Sequence, residues 1–260
     1  MKHQLKDTSF LIPVRQDSLE RVENLLSTTA FIQDNFDTNI IVCETDRSNN
    51  HILEKLLRKV KYFFVKDDDI IFHRTRFLNM MVAATSTPVI AIWDTDAIAF
   101  PDAILESVEH IRSSKAKVAY PYDGRIFEAT SFLREKFIET GKIEVLVKNL
   151  NLMSMLYGRV DMVGAAIFFD REAYVVGGGE NEKYYGWGDE DYDRAERWRA
   201  LKYPIYRYES PLFHLSHPRG NNSTFTSEFA TQVNAYLIEQ VRGVFYTDNL
   251  GKSSEKSTDM

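Results

Sequence analysis

Along this chain, short unbroken apolar runs take turns with stretches whose apolar positions recur at helical spacing. SFLIPVR (9–15) is apolar and rich in strand formers, which predicts a first strand. Asp17 follows, with Glu20 three residues on in the manner of a capping box, and Leu19, Val22 and Leu26 then recur at helical spacing. NIIVCE (39–44) and VKYFFV (60–65) read as buried strands bracketing a helix that carries Ile52, Leu56 and Leu57. The unit repeats, with Phe77, Met80, Met81 and Ala84 marking a helix and PVIAIW (88–93) a strand. Such alternation predicts an α/β fold of parallel strands joined by crossover helices on both faces.

Residues 101–111 predict a further helix, with proline in its first turn and Ile104, Leu105, Val108 and Ile111 turned inward. Residues 125–156 are mostly helical in pattern and suggest a lid or an acceptor platform. DMVGAAIFF (161–169) reads as a strand whose glycine would admit a ligand. The triple glycine 177–179 reads as a turn, because it lacks the strand, spacing and helix of a phosphate-cradling loop. No internal repeat is found. The polar tail 248–260 is expected to be disordered, which leaves residues 1–247 as a single domain.

Composition narrows the choice of partner. The 260 residues suffice for one large core, and 44% hydrophobic with 27% charged residues is ordinary for a globular chain. Aromatic residues at 13% suit a site that stacks flat rings, but a bulky core accounts for them as well. A formal net charge of −6 argues against nucleic acid, whose binding depends on Lys and Arg neutralising phosphates. A single cation-assisted diphosphate stays open. The one cysteine, Cys43, excludes an internal disulfide and fits a reducing compartment. MKHQLKDTSF lacks the apolar stretch of a signal peptide, and no apolar run is long enough for a transmembrane segment. The expectation is a cytoplasmic protein for which any membrane contact is peripheral.

Three polar constellations carry candidate chemistry. IAIWDTDAIAF (90–100) sets Asp94 and Asp96 directly after a buried strand, where open α/β sheets place their ligand crevice. Two carboxylates so spaced can serve one hard cation, Mg²⁺ or Mn²⁺, which in turn can neutralise a diphosphate. In surface turns the same spacing is usually two solvated carboxylates or a helix cap. YYGWGDEDYD (184–193) brings Asp189, Glu190, Asp191 and Asp193 to a helix start, with Tyr192, Ala195 and Trp198 on its apolar face. Macrodipole compensation explains part of that acidity. It leaves Trp187 between Gly186 and Gly188 unexplained, and such a segment suits a mobile loop that swings an indole over a sugar. In FHLSHPRGNNS (213–223), His214 and His217 can each offer a nitrogen to a borderline cation, or can be ordinary core or surface histidines.

The order of these motifs resembles a known family. An Ile-Pro-x-Arg strand end, a Phe-x-Arg segment, Asp-x-Asp, a Gly-Trp-Gly-x-Glu-Asp loop and a terminal histidine pair together look like the β-1,4-galactosyltransferases (glycosyltransferase family 7) and related GT-A domains of bacterial polysaccharide-synthesising enzymes, over residues 9–236. The resemblance implies the GT-A fold, Rossmann-like with a mostly parallel central sheet flanked by helices. It implies an inverting transfer of galactose or N-acetylgalactosamine from a UDP-sugar to a carbohydrate or glycolipid acceptor, dependent on Mn²⁺ with Mg²⁺ as the alternative. On it, Pro13 and Arg15 border the uridine diphosphate, Phe72 and Arg74 hold uridine and phosphates, and Asp94 binds the donor. Asp96, His214 and His217 are the metal ligands, Glu190 and Trp187 bind the acceptor, and Asp191 is the catalytic base. Met162 and Gly164 line the donor sugar, and Met162 departs from the family's tyrosine as Tyr192 departs from its acidic run. The rival readings are a metal-dependent nucleotidyltransferase or phosphohydrolase and a non-catalytic sugar-binding relative.

Overall fold

The computed structural model of the chain describes residues 2–186, 188–220 and 231–241. Trp187 and the polar tail 248–260 therefore lie outside the described residues. The elements run β1 (His3–Val14), α1 (Leu19–Asn35), β2 (Phe36–Asp46), α2 (Ile52–Leu56), β3 (Lys61–Lys66), α3 (Arg74–Ala83), β4 (Val89–Trp93), β5 (Ala97–Ile98), α4 (Pro101–Arg112), β6 (Val118–Tyr120), β7 (Ile126–Ala129), α5 (Ser131–Thr140), α6 (Glu144–Lys148), β8 (Ser154–Met155), β9 (Ala166–Asp170), α7 (Arg171–Val176), α8 (Glu190–Ala200), β10 (Ile205–Arg207) and β11 (Leu212–Leu215). Residues 231–241 are also helical.

The large sheet has the order β10-β6-β9-β4-β1-β2-β3. Its pairings are parallel except at β9, which runs antiparallel to both β4 and β6. A smaller sheet, β5-β11-β7-β8, continues from the end of β4 through the Asp94–Asp96 turn. β4 is buried at all five positions, as its unbroken apolar run requires of a strand covered on both faces. Phe10, Trp93 and Phe168 meet edge to face across the core, with centroids 5.2 to 5.7 Å apart, so much of the aromatic content is packing.

Several expectations need correction. The cap of α1 is Ser18, whose Oγ accepts the Arg21 N–H at 3.1 Å, and Asp17 instead pairs with the Arg21 side chain at 2.6 Å. Leu19, first in that helix, points away from the core at 70% exposed, and Leu25 is the fully buried leucine. α2 is too short to hold a stripe: it buries Leu53 and leaves Ile52 and Leu56 about half exposed. The segment 125–156 begins with a strand, β7, and ends with another, β8. β7 pairs with β11, far along the chain, which no local period can report. The strand expected over 161–169 starts only at Ala166, because Ala165 adopts φ 66 and turns its carbonyl to the Asp94 N–H at 2.8 Å.

Candidate active site

β1 and β4 end side by side, and beyond their carboxyl ends lies a cavity of about 320 Å³. Pro13, Arg15, Phe72, Arg74, Asp94, Asp96, Met162, Gly164, Glu190, Asp191, His214 and His217 all line it, so the described candidates from distant segments share one wall.

The two aspartates of the turn face different partners. Arg74 Nη2 donates to Asp94 Oδ1 at 2.7 Å. Asp96 is buried and turned toward β11, with Oδ1 3.4 Å from His214 Nε2 and Oδ2 3.3 Å from His217 Nε2. β11 lies against β5, pairing His214 with Ala97, and this carries the histidine pair to the aspartate. Thr95 Oγ1 donates to Asp96 Oδ2 at 3.0 Å, and Thr28 on α1 anchors the Thr95 carbonyl at 2.9 Å. Burial works to raise the Asp96 carboxyl, but His214, His217 and Arg21 outweigh it and hold the group well below the usual carboxylate range. Burial lowers His214.

The ligand atoms of Asp96, His214 and His217 lie within 4.8 Å of one another. One carboxylate with two imidazoles fits a borderline divalent cation such as Mn²⁺. The other nitrogen of His217, Nδ1, lies 2.8 Å from the Pro218 carbonyl, an acceptor that would hold the ring proton there when Nε2 serves a cation.

A second group of carboxylates opens α8. Asp189 takes φ 65 and makes no side-chain cap, while the Glu190 carboxylate folds back onto the Gly188 N–H at 3.0 Å. Burial, and then the Asp191 charge, push the Glu190 carboxyl up to about 7. Asp191 Oδ1 is gripped by Nη2 of Arg194, a fully buried arginine whose Nη1 donates to both oxygens of Glu180, at 2.7 and 2.9 Å. Tyr174 adds its hydroxyl to Glu180 at 2.9 Å. Arg74 spans the two groups, with Nη1 3.6 Å from Asp191 and 3.9 Å from Glu190. Burial opposes its charge, but Asp94, Asp191 and Glu190 together hold it firmly protonated. Burial raises Asp94 in spite of that arginine.

Gly164 explains itself here. A β-carbon at this position would stand 2.2 Å from Asp191 Oδ2, so only glycine lets the carboxylate occupy its place. Arg15 lines the cavity but spends its guanidinium on Asp67 at 2.7 Å and on the Asp69 and Thr45 carbonyls, 5.6 Å from the Phe72 ring centre. Met162 receives the Tyr192 hydroxyl at 3.8 Å from its sulfur. Asn234, on the helical 231–241 segment, donates to the Gly188 carbonyl at 3.0 Å and so ties that segment to the loop next to Trp187.

Sequence reasoning missed other lining residues, among them Arg21, Tyr157, Arg159 and Arg219. Arg21 had a signal, one helical turn from Asp17. Tyr157 had none, since it lies just past a segment, 125–156, whose pattern is mostly helical.

The model of the family described as glycosyltransferase like family 2 matches residues 9–232. No curated protein matches the chain. Among solved structures, the chain is similar to the catalytic domain of Drosophila β1,4-galactosyltransferase 7 in complex with xylobiose, at 18% identity over 90% of this chain and 79% of that one, with a TM-score of 0.51. A mutant of the Drosophila enzyme with manganese, UDP-Gal and xylobiose matches at 17% identity over 85% and 69%, with a TM-score of 0.50. Glucosyl-3-phosphoglycerate synthase from Mycobacterium tuberculosis, in complex with Mn²⁺, UDP-glucose and phosphoglyceric acid, matches at 14% identity over 90% and 79%, with a TM-score of 0.55. At these identities the likeness is one of fold, GT-A. No helix among the described residues is long and apolar enough to cross a membrane.

Proposed function

The chain belongs to the glycosyltransferase-like family 2 and is a glycosyltransferase of the GT-A fold, and from that premise we propose that it moves galactose or N-acetylgalactosamine from a uridine diphosphate sugar to a carbohydrate or glycolipid acceptor, inverting the anomeric carbon. The observation that supports this is the partition of one cavity into a cation-type cluster, Asp96 with His214 and His217, and a carboxylate pair, Glu190 and Asp191, with Arg74 between them. A cation held by the first group would neutralise charge on the departing diphosphate. Structures of similar fold hold Mn²⁺ together with UDP-glucose or UDP-Gal, which supports a donor of that class here.

Each residue then has one task. Pro13, Arg15 and Phe72 form the wall for the nucleotide, and Asp94, oriented by Arg74, faces the donor. Met162 and Gly164 border the sugar, and the flexible thioether leaves room for an N-acetyl group. Glu190 and Trp187 hold the acceptor. Asp191 takes the proton of the acceptor hydroxyl as that oxygen bonds to the anomeric carbon, while the carbon–oxygen bond to the diphosphate breaks and uridine diphosphate leaves with the electron pair. Its Oδ1 is occupied by Arg194, which leaves Oδ2 as the proton acceptor. A donor panel with Mn²⁺ tests the proposal, with uridine diphosphate released only when a sugar acceptor is present and a product of inverted configuration. Release of monophosphate or pyrophosphate, or retained configuration, refutes it.

A further inference from the structure

The two histidines of the cation-type cluster differ at the nitrogen turned away from Asp96. His217 Nδ1 rests on the Pro218 carbonyl. His214 Nδ1 is buried and makes no hydrogen bond among the described residues. In a neutral imidazole whose Nε2 lone pair points at a cation, Nδ1 must carry the proton, and a buried N–H calls for an acceptor. The chain provides one beside it. β7 and β11 run parallel with Glu128 paired to His214, and the Glu128 Oε1 lies 3.6 Å from His214 Nδ1. Arg219 holds the same oxygen at 3.3 Å, which keeps the carboxylate next to the imidazole, and partial exposure of Glu128 leaves it free to close the remaining gap.

We propose that Glu128 is a positioning residue for the cation site: its carboxylate accepts the His214 Nδ1 proton, fixes the ring's tautomer and aim, and leaves Nε2 as the ligand beside Asp96. This rests on the reading of Asp96, His214 and His217 as cation ligands. The carboxylate–imidazole arrangement makes the ring a better donor and prevents it from presenting a proton to the cation.

The test uses the whole chain without donor. Mn²⁺ is titrated into the unaltered protein, Glu128→Ala, Glu128→Gln and Glu128→Met by calorimetry, with free Mn²⁺ read by electron paramagnetic resonance. Glu128→Ala is expected to weaken Mn²⁺ affinity about 10- to 100-fold with little change in melting temperature. Glu128→Gln keeps an amide oxygen as acceptor and is expected to recover most of the affinity, whereas Glu128→Met, which keeps the volume but offers no such acceptor, is expected to stay as weak as Glu128→Ala; recovery in both overturns the role of Glu128. Equal Mn²⁺ affinity in Glu128→Ala and the unaltered protein overturns the role of Glu128 and leaves the cation site standing. Absence of Mn²⁺ binding by the unaltered protein overturns the cation site and this role together.

Discussion

Gly164→Ala isolates the geometry of Asp191 from its chemistry. The added β-carbon would stand 2.2 Å from Asp191 Oδ2 and 2.9 Å from its Cγ, and to reach ordinary contact the oxygen must retreat by about 1 Å. The backbone itself accepts alanine, since Gly164 has no positive φ. Relief on the glycine's side is limited, because its carbonyl is held by the Tyr122 hydroxyl at 2.6 Å. Relief on the other side means moving a carboxylate whose Oδ1 is gripped by Arg194, an arginine itself locked to Glu180. Overpacking of this kind costs about 1–3 kcal/mol of stability. If Asp191 is the base, as proposed, a displacement of about 1 Å at its oxygen is expected to lower kcat about 10²-fold. The cation cluster takes no part in this contact, so Mn²⁺ affinity should stay the same. Uridine diphosphate release at saturating acceptor, a thermal melt and a Mn²⁺ titration on the same preparation decide the matter. A folded Gly164→Ala protein with kcat within about 3-fold of the unaltered chain would show that Asp191 does not act from the position it occupies here.

Asp191→Asn keeps the side chain's shape but cannot take a proton, and is expected to cut turnover about 10²- to 10⁴-fold with donor and Mn²⁺ binding nearly intact, as measured at saturating acceptor. Near-normal maximal rate would remove it from the role of base. Asp96→Ala should abolish Mn²⁺-dependent donor binding in calorimetry, since it takes away the carboxylate that faces both histidines; unchanged Mn²⁺ dependence contradicts the cation site. Glu190 supplies a pH test. Its carboxyl, raised from the ordinary 4.5 to about 7 by burial and by Asp191, keeps a proton in the native state that the unfolded chain has already lost in that window. Stability therefore falls as pH rises between those values, by about 3 kcal/mol in all. Glu190→Gln should accordingly raise the melting temperature at pH 8 relative to its effect at pH 5, and an equal effect at both pH values counts against the buried-acid account.

What could be read from the sequence was whatever a short window contains. PVIAIW predicted β4 because a strand covered on both faces has no polar position to spare, and Pro101 with Ile104, Val108 and Ile111 predicted α4 because a helix buries one stripe. The α/β class followed from such runs in alternation, and the candidate residues from acids, histidines and glycines set at strand and helix ends. Only the tertiary structure decided how those residues meet. β9 is antiparallel, β7 is a strand, and Ala165 breaks the run before β9, each through partners far along the chain. Asp94 and Asp96 look alike in sequence, yet Arg74 from α3 takes one, while His214 on β11 and His217 just beyond it take the other. Gly164 is required by Asp191, and Glu128 meets His214, through contacts that no local period encodes. Local pattern records which face of an element is buried, because solvent exclusion acts on each element separately. Which two side chains face each other across a cavity depends on sheet order, register and close packing, and these exist only once the whole chain has folded.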